Sequence, residues 1–210
     1  RLVVAREPGD AAYINRRFAD APNWVPVVPL YDEEDVLRAL QQFVAIPYRR
    51  AFQPLPGVSA MFVNSGHILG SAMIEATATE GGRSVKVLFS GDVGRYNQPL
   101  PPDPEPAPDC DILVIESTYG DRKHGGLDPK DELERVVKRI LETKGILLVP
   151  AFAVGRSQQL LFILRELMNA GRIPKIPVHL DSPMAHETTG VYLKYINSGG
   201  VRMDAVKGGG

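Results

Sequence analysis

Two residues in this sequence have the types and the settings for metal chemistry. His67 lies in the turn Ser65-Gly66-His67-Ile68-Leu69-Gly70-Ser71, and Asp92 ends the stretch Ser90-Gly91-Asp92. Taken singly, such a histidine is more often a turn residue and such an aspartate more often a cap. Taken together they read differently, because imidazole and carboxylate are ligand types that zinc takes, and one carboxylate can bridge two metal ions about 3.5–4 Å apart. What must bring them together is a hairpin. Ala72-Met73-Ile74-Glu75-Ala76-Thr77 runs out to Gly81-Gly82, a strong two-residue turn signal, and Val85-Lys86-Val87-Leu88-Phe89 runs back. The hairpin predicts that His67 and Asp92 are neighbours within ligand reach, directed into one cleft.

Other residues could serve the same cleft. Ile112-Leu113-Val114-Ile115 is an unbroken apolar run suited to a strand buried on both faces, and Glu116 leaves its carboxyl end, where open α/β sheets place their sites. Ser117 and Thr118 follow as candidate substrate contacts. Arg95 either faces a phosphate or pairs with a nearby carboxylate. Arg156, in Gly155-Arg156-Ser157-Gln158, opens a helix after a glycine turn, which suits an anion or simple structural capping alike. No GxGxxG and no P-loop Lys-Ser/Thr accompanies it, so a nucleotide cofactor is unsupported. Tyr48-Arg49-Arg50 beside Phe52 reads as a weak nucleic-acid contact or a solvated strand edge. His124 is expected in a loop, near substrate.

The segments GHILGSA, FSGDVGR, ILVIESTYGDR and LLVPAFAVGRSQQLL, in this order, resemble the metallo-β-lactamase-fold nucleases that carry a β-CASP insertion. The resemblance covers roughly residues 29 to 197. It implies that His67 and Asp92 are metal ligands and that Glu116 supports catalysis by holding a histidine that acts as acid toward the leaving group. Arg95, Ser117, Thr118 and Arg156 would then touch substrate. By the same resemblance the fold is α/β: a partial metallo-β-lactamase αββα sandwich over residues 1–120, followed over 121–210 by the start of a β-CASP α/β domain with a parallel sheet. The parent is expected to be a zinc-dependent phosphodiesterase, with two zinc ions, that cleaves single-stranded RNA in processing or decay. Two rivals remain: a catalytically inactive scaffold subunit of an RNA-processing complex, and a small-molecule hydrolase of the same wider fold. Endo- versus exonuclease action, and RNA versus DNA, stay open. The family's His-x-His-x-Asp-His cluster does not occur in this chain. The 210 residues are therefore expected to be a fragment, without the upstream metal motif, that binds metal poorly and is inactive alone.

The remaining sequence is that of an ordinary globular protein. Of its 210 residues 44% are hydrophobic and 23% charged, with formal net charge −1. That balance disfavours a stand-alone module that holds nucleic acid chiefly by phosphate neutralisation. One cysteine, Cys110, excludes an internal disulfide framework and fits a cytoplasmic protein, where it would be a structural thiol. There is no run of eighteen apolar residues, and the start lacks the plan of a signal peptide. No membrane partner is expected, and a homodimer is an open alternative. Helices are predicted near Asp10 to Asp20, from Leu30 with the apolar stripe Val36, Leu37, Leu40 and Phe43, over Pro129 to Lys144, Ser157 to Ala170, and Met184 to Asn197. Strands are predicted at Val58 to Val63, Ile146 to Val149 and Val178 to Leu180, with a stiff loop of six prolines between Pro99 and Pro108 and a flexible tail from Ser198.

Overall fold

The computed structural model describes residues 8–123, 126 and 128–195, and divides the chain into two compact units, 1–46 and 47–210. His124 and the tail from Ser198 lie outside the described residues. In the first unit, helix α1 (Pro8–Arg17) starts two residues before the predicted position. Asn15 clamps the chain that follows: its amide donates to the Val27 carbonyl at 2.9 Å and accepts from the Val27 N–H at 2.7 Å. Helix α2 (Glu33–Leu40) begins at a reciprocal cap, in which Asp32 accepts from the Asp35 N–H and Asp35 from the Asp32 N–H. The predicted stripe is there, but Val36, Leu37, Leu40 and Phe43 are all exposed among the described residues.

The second unit is built on one five-stranded sheet, ordered β1 (Phe52–Leu55), β2 (Val58–Asn64), β3 (Ala72–Glu80), β4 (Arg83–Phe89) and β5 (Ile112–Val114). The first three pairings are antiparallel and β4 with β5 is parallel. Gly81 and Gly82 form the two-residue turn, both with positive φ, the conformation this hairpin type demands of both positions. Val63, Met73 and Leu88 gather under the sheet as one core cluster, with Cys110 packed against it as a structural thiol. Burial of each such side chain contributes about 1.5–3 kcal/mol.

The α/β class of the sequence holds, with two local corrections. The run 112–115 is not buried on both faces: Ile112, Leu113 and Val114 each remain about half exposed, because β5 has a neighbour on one side only. Residues 146–149 and 178–180 form no strand among the described residues, so the parallel sheet predicted for the C-terminal half is not paired there. A parallel ladder needs a paired strand, and neither run pairs with one among the described residues; Ile146 and Leu148 are more than four-fifths exposed. An apolar run predicts burial only where another element comes to cover it.

The C-terminal half is helical: α3 (Pro129–Glu142), α4 (Arg156–Asn169) and α5 (Pro183–Tyr195). Val137, Ile163, Leu167 and Ile173 form the core between α3, α4 and the turn after α4. Arg172 reinforces that join by bonding Asp131 and Glu134 of α3. A smaller cluster of Leu100 and Tyr192, with Leu69 and Phe162, ties the helices to the His67 loop and to the proline-rich loop. That loop is a packed strap, with Pro101 and Pro104 buried. Arg49 pairs with Glu105 on the strap at 2.5 Å, and Tyr48 donates to the Ser71 carbonyl at 2.9 Å. The Tyr48-Arg49 pair therefore braces the His67 loop.

Gln158 is the polar fastener of the helical half. Buried at 3% exposure, it accepts from the Gly155 N–H at 2.7 Å and donates to the Ala153 and Ala185 carbonyls and to Thr189. Gln158→Ala should leave the Gly155 N–H and the Ala153 carbonyl without their partners and lower unfolding stability by about 2–3 kcal/mol, read by urea denaturation. Gly94 sets a second test. A Cβ there would overlap the Gly66 carbonyl, so Gly94→Ala should cost about 3 kcal/mol or more in the same measurement. The control is Gly190→Ala in α5, where no atom lies within 4 Å of the added carbon; it should be neutral or stabilising by about 0.5–1 kcal/mol.

Candidate metal and phosphate site

Two loops at one end of the sheet make the site, and backbone contact holds them together. The Gly94 N–H donates to the Ser65 carbonyl at 2.8 Å. Gly66 has φ +64°, and a side chain on it would press on the backbone of Pro102 and Pro104. Only glycine meets both demands, left-handed backbone and no room for a Cβ. Asn64 turns the chain by accepting from the Gly66 N–H at 2.9 Å. The Ser71 hydroxyl then closes the loop, accepting from the N–H groups of His67 and Ile68 and donating to the Ile68 carbonyl.

The result places His67 Nε2 3.5 Å from Asp92 Oδ2, both side chains substantially exposed. They line one cavity of about 240 Å³ together with Arg95, Glu116, Thr118 and Arg156. Ser117, exposed at the start of the following turn, is outside that lining, as are Tyr48, Arg49 and Arg50. Tyr119, Gln98 and the backbone of Val93 and Gly94 complete it.

Glu116 is anchored from several sides. Its N–H donates to the Ser90 hydroxyl at 3.0 Å, and its carboxylate accepts from the Val93 N–H at 2.8 Å. The Val93 bond, then bonds from the side chain and backbone of Thr118, then the nearby His67 imidazole hold its pKa below the ordinary 4.5, against a smaller opposing effect of burial. Glu116 is thus an anion at neutral pH, and through Val93 it fixes the loop that carries Asp92.

The two arginines complete the picture. Neither Arg95 nor Arg156 bonds a carboxylate among the described residues, and both point charge at the cavity that holds His67 and Asp92. Of the two alternatives for Arg95, the described residues include no carboxylate that pairs with it. Arg156 is placed by the Gly155 turn, which packs on the His67 loop so closely that a Cβ at 155 would lie 2.9 Å from Ile68 Cγ2. Tyr192 of α5 accepts from the Leu69 N–H of the same loop at 3.3 Å. Sequence reasoning did not find Ser71, Gln158 or Tyr192, whose roles arise from contacts between distant segments; a buried glutamine beside a glycine turn was the nearest signal.

The His67 and Asp92 donors fit a zinc ion in kind. In number they fall short, since a catalytic zinc keeps three protein ligands and no group of three or more His, Cys, Asp or Glu converges to hold a metal among the described residues.

Residues 157–202 match the Beta-Casp domain. The chain is 32% identical over 171 residues to an RNase J-like protein of Methanocaldococcus jannaschii, which takes in 80% of this chain and 39% of that protein. It is 32% identical over 169 residues to a ribonuclease of Thermus thermophilus, covering 80% of this chain and 38% of the relative. Against the cleavage and polyadenylation specificity factor subunit 3 of Dictyostelium discoideum it is 34% identical over 174 residues, 80% of this chain and 21% of the relative. The chain thus spans about two fifths or less of the length of these relatives. With its glycine-braced His67 and Asp92 loops leading into a matched Beta-Casp segment, the chain resembles the metallo-β-lactamase-fold nucleases that carry a β-CASP domain.

Proposed function

We propose that this chain carries part of the active centre of a zinc-dependent ribonuclease, a phosphodiesterase acting on single-stranded RNA. One observation carries the reading: an imidazole and a carboxylate 3.5 Å apart share a cavity with two guanidinium groups that have no carboxylate partner among the described residues. Names of relatives that include an RNase J-like protein, a ribonuclease and an endoribonuclease support an RNA substrate. His67 and Asp92 are the residues that would hold metal. Two zinc ions, when bound, supply an activated water and neutralise charge on the phosphoryl oxygens.

The chain's own residues do the rest. Arg95 and Arg156 bind and orient the phosphodiester from either side, and their charge rises in value as the strand excludes water from the cleft. Thr118 positions the strand near Glu116. Glu116, kept anionic, holds the Asp92 loop and is placed to orient a histidine that protonates the leaving oxygen. The 210 residues alone, with two donors, have no nuclease activity in this account.

The test uses the full-length parent, a labelled single-stranded RNA and a chelator control. Asp92→Ala should abolish cleavage and lower zinc content. His67→Ala should weaken one metal position more than the other, while Arg156→Ala should keep its zinc and lose about 10- to 100-fold in kcat/KM. Undiminished cleavage by Asp92→Ala at wild-type zinc content would sink the reading.

A further inference from the structure

Arg49 stands in the left-handed region of the backbone, with φ 59°. A residue with a long side chain adopts that conformation at a cost that glycine escapes, so the position calls for the arginine side chain itself. Its N–H donates to the Phe62 carbonyl at 2.9 Å, and its guanidinium meets Glu105 through Nε at 2.7 Å and Nη2 at 2.5 Å. Both nitrogens fall on one carboxylate oxygen, Oε2. That leaves Oε1 of Glu105 to accept from the Asn64 N–H at 3.3 Å, while the Glu105 N–H donates to the Asn64 carbonyl at 3.0 Å.

These bonds continue the edge of β2 beyond its partner. The β1 ladder reaches Ala60 of β2, opposite Phe52, and stops there. Past it, Arg49 takes the Phe62 carbonyl and Glu105 takes both backbone groups of Asn64. Glu105 stands between Pro104 and Pro106, which hold φ fixed on either side and have no N–H of their own. Pro104 is buried and lies so near Gly66 that a Cβ there would overlap it, and the Asn64 side chain accepts from the Gly66 N–H at 2.9 Å. The strap thus holds the turn at Asn64 and Gly66 from two sides, immediately before His67. Tyr48 holds the far end of the same loop, donating to the carbonyl of Ser71, whose hydroxyl accepts from the His67 N–H at 3.0 Å.

We propose that Arg49 and Glu105 are positioning residues, whose ion pair sets where the His67 imidazole stands relative to Asp92. The inference rests on the reading of His67 as a metal ligand, and it adds two residues that lie outside the lining of the site cavity. An ion pair as exposed as this one contributes little to global stability. Its loss should therefore show at the His67 loop and not in the unfolding of the protein.

The test uses the full-length parent and reads loop order apart from metal. Amide hydrogen exchange is followed residue by residue in chelator. Glu105→Gln keeps an acceptor for the Asn64 N–H and gives up the charge; Arg49→Gly keeps the positive φ and gives up the guanidinium. Each should speed exchange at Gly66 and His67 by about tenfold and leave the Leu88 amide of the sheet core as in wild type. The urea midpoint of Arg49→Gly should be unchanged or higher, because glycine relieves the backbone. The double variant should exchange no faster at Gly66 and His67 than the faster single variant, as expected of one interacting pair. Zinc affinity, measured against a competing chelator, should fall by about tenfold in each single variant. Unchanged exchange at Gly66 and His67, equal quickening at Leu88, or additive effects in the double variant overturns the proposal. Quickened exchange with zinc affinity held at the wild-type value overturns it too. A wild type that binds no zinc, with the exchange pattern as expected, removes the metal reading and leaves the clamp on the loop, whereas wild-type exchange and wild-type zinc affinity in every variant removes the clamp and leaves the metal reading.

Discussion

The contact of backbone on backbone between Gly66 and Gly94 is the constraint on which the rest depends. The hairpin of β3 and β4 returns the chain to the neighbourhood of its start, but a hairpin alone sets position only to within a side chain's width. What brings the His67 and Asp92 side chains to 3.5 Å is that two loops lie without any Cβ between them and share the bond from the Gly94 N–H to the Ser65 carbonyl. Side-chain bonds from Asn64, Ser71 and Glu116 then fix each loop internally. Glycine is costly to order, and here that cost accompanies the one place where two chemically active side chains must meet.

The helical half contributes by the same logic. Arg156 stands at the start of α4 because Gln158 satisfies the Gly155 N–H and binds it to α5, and α5 in turn reaches the His67 loop through Tyr192. A guanidinium and an imidazole from segments nearly ninety positions apart are thereby held against one cavity by buried polar bonds. Such networks are worth most when every member is satisfied, and each polar atom of the Gln158 side chain has a partner.

Much of this was legible in the sequence, and the limits have physical causes. The Gly81-Gly82 hairpin was visible because two consecutive glycines serve the positive φ of both turn positions. The three C-terminal helices were visible in apolar spacing and in the glycines at 145 and 171. Ile112 to Ile115 and Ile146 to Val149 misled for one reason: apolarity records what a segment would gain by burial, and the coverage itself comes from other parts of a fold. Arg95 could be assigned to neither of its two alternatives from sequence, since the choice depends on whether a carboxylate lies across the loop. The Tyr48-Arg49 pair read as surface and proved a brace, because its partners Ser71 and Glu105 are distant in sequence.

The central claim of this account is that His67 and Asp92 are ligands of one zinc centre, an assignment proposed here from their geometry and kind. Anomalous diffraction at the zinc edge from crystals of the full-length parent tests it most directly. The expected result is zinc within about 2.0–2.2 Å of an Asp92 carboxylate oxygen and of a His67 nitrogen. Zinc bound elsewhere in the protein, with the His67 and Asp92 side chains left as a bare pair, would contradict it.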